Sequence, residues 1–135
     1  MNYLLDVNIL IAWGWSDHLD HGRTIHWIAR QKKNSQVRLL TSTIPEMGFV
    51  RVSAQRSAGQ ISVAEAGAAL GGMLKSLGKS HDFLPDDLGG VFWPDWCRSP
   101  GRTTDAHLLQ LAVNHDAILA TLDAAIPNAE LLPFI

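Results

Sequence analysis

Short apolar runs alternate with longer amphipathic stretches along this chain. Tyr3 to Leu5 reads as a buried strand, closed by a turn at Asp6, Val7 and Asn8, with an apolar helix from about Ile9. After the polar SDHLDHG, the period becomes helical from about Gly22 to Lys33, with Ile25, Ile28 and Ala29 on one face and Arg30, Lys32 and Lys33 at the far end. Val37 to Leu40 gives a second strand, and Thr41, Ser42, Thr43 and Pro45 signal a helix running into GFVRVSAQ. In ISVAEAGAALGGMLKSLG, Val63, Ala66, Leu70, Met73, Leu74 and Leu77 recur at helical spacing, Ser62 and Glu65 form a capping box, and Gly78 marks a stop. The Pro and Gly content from Ser80 to Arg102 predicts loops with a short strand or helical turn inside. Thr103 or Thr104 then caps a helix from Asp105 to about Asn114 that buries Leu108, Leu109, Leu111 and Ala112. Ala117 to Thr121 reads as a strand and Leu131 to Ile135 as a last one.

Strands alternating with helices predict an α/β fold whose sheet is mostly parallel and flanked by helices. In such sheets the ligand crevice lies beyond the carboxyl ends of the strands. With 135 residues, 47% of them hydrophobic, the chain suits one domain over residues 1–135 with a substantial core. Eleven Lys and Arg against 13 Asp and Glu leave a formal net charge of -2, which argues against a broad basic coat for nucleic acid. A lone Cys97 excludes an internal disulfide framework. The apolar start lacks a basic leader and is broken by Asp6 and Asn8, so neither a signal peptide nor a membrane span is expected, and a cytoplasmic location is.

Four carboxylates change this picture. Asp6, Glu46, Asp105 and Asp123 each stand where an apolar strand ends or a helix begins. A buried acid is costly unless neutralised, so their shared placement at one edge of the sheet points to a common cation. Each also has a bland explanation. Glu46 lies where a capping box with Thr43 would put it, Asp105 suits the positive end of a helix, and Asp123 suits a turn over Ala124 to Pro127. Asp6, interrupting an apolar run with no cation nearby in sequence, is hardest to explain away.

The blocks LLDVNILIA, TSTIPEMGFVRV, RTTDAHLLQLAV and ILATLDAA, in that order, resemble the signature blocks of PIN-domain ribonucleases, specifically the VapC-type toxins of bacterial toxin–antitoxin systems. The resemblance spans nearly the whole chain. It implies a PIN-like three-layer sandwich and a Mg²⁺- or Mn²⁺-dependent endoribonuclease that cuts structured RNA such as tRNA or rRNA. It further implies a cognate antitoxin that covers the crevice, and a homodimer. The family's acidic positions fall on Asp6, Glu46, Asp105 and Asp123, with Asp6, Glu46 and Asp105 expected as the core cage and Asp123 completing it directly or through water. Asn8 and Thr121 match the polar positions expected to orient carboxylates. Hard oxygen ligands suit these metals, which stabilise charge on phosphate oxygens and activate water.

Arg102, Arg51 and Arg98 are candidates for phosphate contact. Asp17, His18 and His21 lack a further His or Cys at zinc-binding spacing, and their loop is expected as a solvated or substrate-side rim. His107 is expected on the surface, Cys97 in packing, and the early Trp13, Trp15 and Trp27 in core or interface rather than stacked on bases. Two other classes fit in part. One is an α/β phosphatase with Asp6 as nucleophile, although DVN lacks a second Asp to act as acid. The other is a silent PIN-like module that binds RNA or protein without cutting.

Overall fold

Within the core strands, successive side chains point to opposite layers, and this alternation sets the architecture. In the computed structural model, which describes residues 1–135, five strands form one parallel sheet: β1 (Asn2–Leu5), β2 (Arg38–Thr41), β3 (His81–Phe83), β4 (Ile118–Thr121) and β5 (Glu130–Leu131), in the order β3-β2-β1-β4-β5. The helices are α1 (Val7–Gly14), α2 (His21–Lys32), α3 (Thr43–Arg56), α4 (Val63–Leu77) and α5 (Thr103–Asn114). Tyr3, Leu5, Leu39 and Ala120 join a core with Ile9, Trp27, Phe49 and Leu70 from α1 to α4. Leu4, Leu40 and Leu119 face the other way, onto Leu108 and Leu111 of α5. Strands covered on both faces read as apolar runs, which is why the buried centres of β1 and β2, Tyr3 to Leu5 and Leu39 to Leu40, carry no charged residue.

Several expectations shift. On α2 the buried residues are Arg23, Thr24, Trp27 and Ile28, whereas Ile25 and Ala29 face solvent. Burying Trp27, edge-on to Tyr3 at 5.2 Å, outweighs burying Ile25 and turns the helix accordingly. Arg23 tolerates that face because it donates to the Leu132 carbonyl at 2.9 Å. The last strand is Glu130–Leu131 rather than Leu131 to Ile135, with Phe134 and Ile135 exposed. Helix α5 begins at Thr103 behind a 3-10 turn at Pro100–Arg102, and neither threonine caps it through its side chain. His107 is half-buried and held by Asp86 at 2.6 Å rather than solvated. The capping box of Ser62 and Glu65 is present, ahead of Gly78 with φ 55° at the helix end. No helix is long and apolar enough to cross a membrane.

The strand order reverses at β1: the chain steps outward through β2 and β3, then returns to add β4 and β5 on the other side. The crevice outside the carboxyl ends of β1 and β4 is therefore the topological switch point, where α/β sheets bind ligands.

Candidate active site

Asp6 follows β1 directly and caps α1. One carboxylate oxygen, Oδ1, accepts the Val7 N–H at 2.7 Å; the other, Oδ2, accepts the Thr121 hydroxyl at 2.8 Å. The residue is only 4% exposed. Burial, joined by repulsion from Asp105 and Asp123 and opposed by those hydrogen bonds, pushes its carboxyl up to about 6.

Thr121 ends β4 fully buried and serves as the hub of this corner. While donating to Asp6, its oxygen accepts from Asn8 Nδ2 at 3.1 Å and from the Asp123 N–H at 3.0 Å. Asn8 Oδ1 accepts the Leu122 N–H at 3.1 Å, so both ends of its amide are fixed. Asn8 and Thr121 thus tie α1 to the end of β4 with Asp6 held between them.

Asp105, in the first turn of α5, lies across the crevice. Its carboxyl is raised by burial first and by Asp123 as well, with Arg102 pulling the other way from 3.6 Å. Asp123 contributes charge to both neighbours, yet its Oδ1 accepts the Ala125 N–H at 2.9 Å and closes the turn that follows. The structure therefore brings Asp6, Asp105 and Asp123 into one electrostatic neighbourhood. Glu46 accepts the Thr41 hydroxyl at 2.7 Å rather than forming a capping box with Thr43. His81 Nε2 lies 2.7 Å from the same hydroxyl oxygen. Since Thr41 has one proton and gives it to Glu46, Nε2 must present its own N–H. Burial lowers the His81 pKa, against the pull of Glu46 and Asp82.

A cleft of about 390 Å³ opens over this corner, lined by Asp6, Asn8, His18, Arg51, Thr104 and Asp105 among others. Of the candidate arginines, Arg51 lines the cleft and makes no hydrogen bond or ion pair within the chain. Arg102 leans on Asp105, donates to the Ala125 carbonyl at 3.0 Å and stacks over Trp96, while Arg98 donates to Asp95 in its own loop. Neither Thr41 nor His81 carries a signal in the sequence that marks it for this corner. Thr41 looked like part of a helix start, and HDF carries no apolar run to mark a strand.

No group of three or more His, Cys, Asp or Glu side chains stands close enough to enclose a metal ion. The donor chemistry still fits Mg²⁺ or Mn²⁺, which bind through one or two carboxylates and keep several waters. Asp6 and Asp105 are such a pair: both line one cleft, and both carboxyls are raised by burial, so a bound cation would relieve both. The set contains no Cys, which disfavours a closed zinc site.

Thr41→Val keeps volume while removing the hydroxyl between Glu46 and His81. We expect the variant to lose about 1–2 kcal/mol of stability, with Thr41→Ser restoring it, read from thermal melts.

No family model matches the chain. Among curated proteins it is 38% identical over 135 residues to Ribonuclease VapC39 of Mycobacterium tuberculosis, covering 96% of this chain and 94% of that protein. It is 37% identical over 127 residues to Ribonuclease VapC38 of Mycobacterium tuberculosis, covering 91% and 86% of the two chains. Ribonuclease VapC44 of that species is 37% identical over 131 residues, covering 93% and 89%. Among solved structures, a chain of the VapBC2 complex from Rickettsia felis, bound to a DNA fragment from its promoter, superposes with a TM-score of 0.62 at 14% identity over 97% of both chains. That likeness bears on the fold alone. With an all-parallel sheet whose switch point gathers acidic residues, and full-length relatives well above 30% identity, this chain belongs to the VapC ribonuclease family.

Proposed function

We propose that this protein is a metal-dependent endoribonuclease, the toxin of a toxin–antitoxin pair, that hydrolyses phosphodiester bonds in structured RNA such as tRNA or rRNA. The observation that carries the reading is the Asp6–Asp105 pair at the switch point of the sheet, with Asp6 buried and its carboxyl raised to about 6. Asp6 and Asp105 would hold Mg²⁺ or Mn²⁺, and Asp123, whose charge acts on both, would complete the site directly or through water. When bound, the metal stabilises charge on the phosphate oxygens and lowers the pKa of a coordinated water. Thr121 and Asn8 keep the Asp6 carboxylate in one orientation, since each of its oxygens already accepts a hydrogen bond. Glu46, held by Thr41, stands in the first turn of α3, five residues before Arg51. Arg51 is free to meet a phosphate of the incoming strand, and Arg102 balances Asp105.

A near-neutral chain, with net charge -2, favours selection of RNA by shape over bulk attraction. The partners we infer are a small antitoxin that covers the crevice and a second copy of this chain, acting in the cytoplasm. The test is to map the ends of fragments made by the purified protein from total bacterial RNA. Cuts confined to a few positions in folded RNA support the reading. Equal cutting of unrelated single-stranded RNAs would overturn the selectivity, and no cutting by folded, partner-free protein would favour the silent binding module.

A further inference from the structure

The loop between α1 and α2 carries a histidine that the acidic mechanism leaves unused. Trp15 donates from Nε1 to Ser53 Oγ on α3 at 3.0 Å, and Asp17 accepts from Arg56 at 2.8 Å, so the loop is clamped to α3 at two points. Arg56 itself stacks over the Trp15 ring, 4.7 Å from its centroid. Directly after these anchors the His18 N–H donates to the Trp15 carbonyl and the His18 carbonyl accepts the His21 N–H, both at 3.0 Å. The His18 backbone is thus held from both sides. Its ring is held too, because Nδ1 accepts the Asp20 N–H at 3.0 Å.

That last contact settles the tautomer. With Nδ1 accepting, the neutral ring carries its proton on Nε2, which has no partner in the chain. The ring lines the same cleft as Asp6, Asn8, Arg51 and Asp105. A half-buried, fixed donor in the lining of that cleft has no acceptor within the chain. An anionic oxygen brought in by substrate is the natural one.

We propose that His18 is a further catalytic residue, its Nε2–H donating a hydrogen bond to an oxygen of the scissile phosphate. The role rests on the endoribonuclease reading above. A donor set in advance at the position where charge develops costs no reorganisation during reaction, and removing one such donor slows turnover by about 10²–10³-fold. The loop's anchors on α3 serve that pre-setting.

The experiment compares wild type, His18→Ala and His18→Gln in single-turnover cleavage of one RNA, beside Asp6→Asn. RNA binding is followed separately, and the ¹⁵N spectrum of the His18 ring is recorded in the wild type. We expect His18→Ala to lose about 100-fold in rate with RNA affinity changed less than about 3-fold, and His18→Gln, which keeps an N–H at similar reach, to recover most of the loss. The ¹⁵N spectrum should show a neutral ring protonated at Nε2. His18→Ala cleaving at the wild-type rate, while Asp6→Asn is dead, overturns this role alone. Failure of Gln to rescue, or a ring protonated at Nδ1, also overturns it. A folded wild type that cuts no RNA overturns the endoribonuclease reading and this role with it.

Discussion

Asp6→Asn should abolish RNA cleavage and at the same time make the metal-free protein more stable. The loss in rate should reach about 10³-fold or more, on the order of 4 kcal/mol of transition-state stabilisation, because the substitution removes charge from the buried end of the carboxylate pair. The gain in stability follows from linkage. In the folded protein the Asp6 carboxyl titrates at about 6, above its unfolded value, because burial is the leading cause and Asp105 and Asp123 add to it. The folded state therefore holds a proton that the unfolded state has released between roughly pH 4 and 6, and stability falls as pH rises through that window. Above it the whole penalty is present, about 3 kcal/mol for a shift of about two units. Asparagine removes the charge but offers Nδ2 where Thr121 wants an acceptor, which takes back about 1 kcal/mol. We expect a net gain of about 1–2 kcal/mol at pH 7 in EDTA, read from thermal melts, that disappears below about pH 4. A variant less stable than wild type at pH 7 in EDTA would show that the carboxylate is not the strained group described.

The second large effect is expected at Gly48. A Cβ at this position of α3 would stand 2.8 Å and 2.9 Å from the two methyl carbons of Val7, closer than carbon atoms pack. Val7 opens α1 immediately after Asp6, so the contact that seats α3 against α1 also sets the position of the Asp6 carboxylate. Gly48→Val should cost about 2–3 kcal/mol, a fall of roughly 10 °C in Tm for a chain of this size, and should lower activity in the protein that still folds. Gly48→Ala should lie between. If Gly48→Val melts with wild type, α1 and α3 are not packed this closely.

The two positions also show which parts of the molecule the sequence makes legible. Asp6 stood out because a carboxylate in an apolar run has a cost that periodicity cannot absorb. Strands β1, β2 and β4 are readable because both faces are buried and their centres are apolar. The Ser62–Glu65 capping box was readable because it is a local contact. For edge strand β3 the sequence allows a short strand within 80–102 but not its place, since His81 and Asp82 give no apolar signal and pairing with β2 makes HDF a strand. The burial of Arg23 and exposure of Ile25 on α2 depend on Leu132 and Tyr3, far away in sequence. At the site, spacing brought out the four acids but not the turn of the Glu46 side chain toward Thr41 and His81, which depends on the β2–β3 pairing. The need for glycine at position 48 is likewise invisible until Val7 is opposite it.

The most direct measurement is cleavage of a single structured RNA by wild type, Asp6→Asn and Asp105→Asn, each purified free of partner and assayed in Mg²⁺, Mn²⁺ and EDTA. Metal-dependent cutting by wild type, lost in EDTA and in both variants while all three remain folded, is the expected result. Cutting that survives EDTA, or that either variant retains, would contradict the account, because the Asp6–Asp105 pair would then not be the metal-holding centre of the reaction.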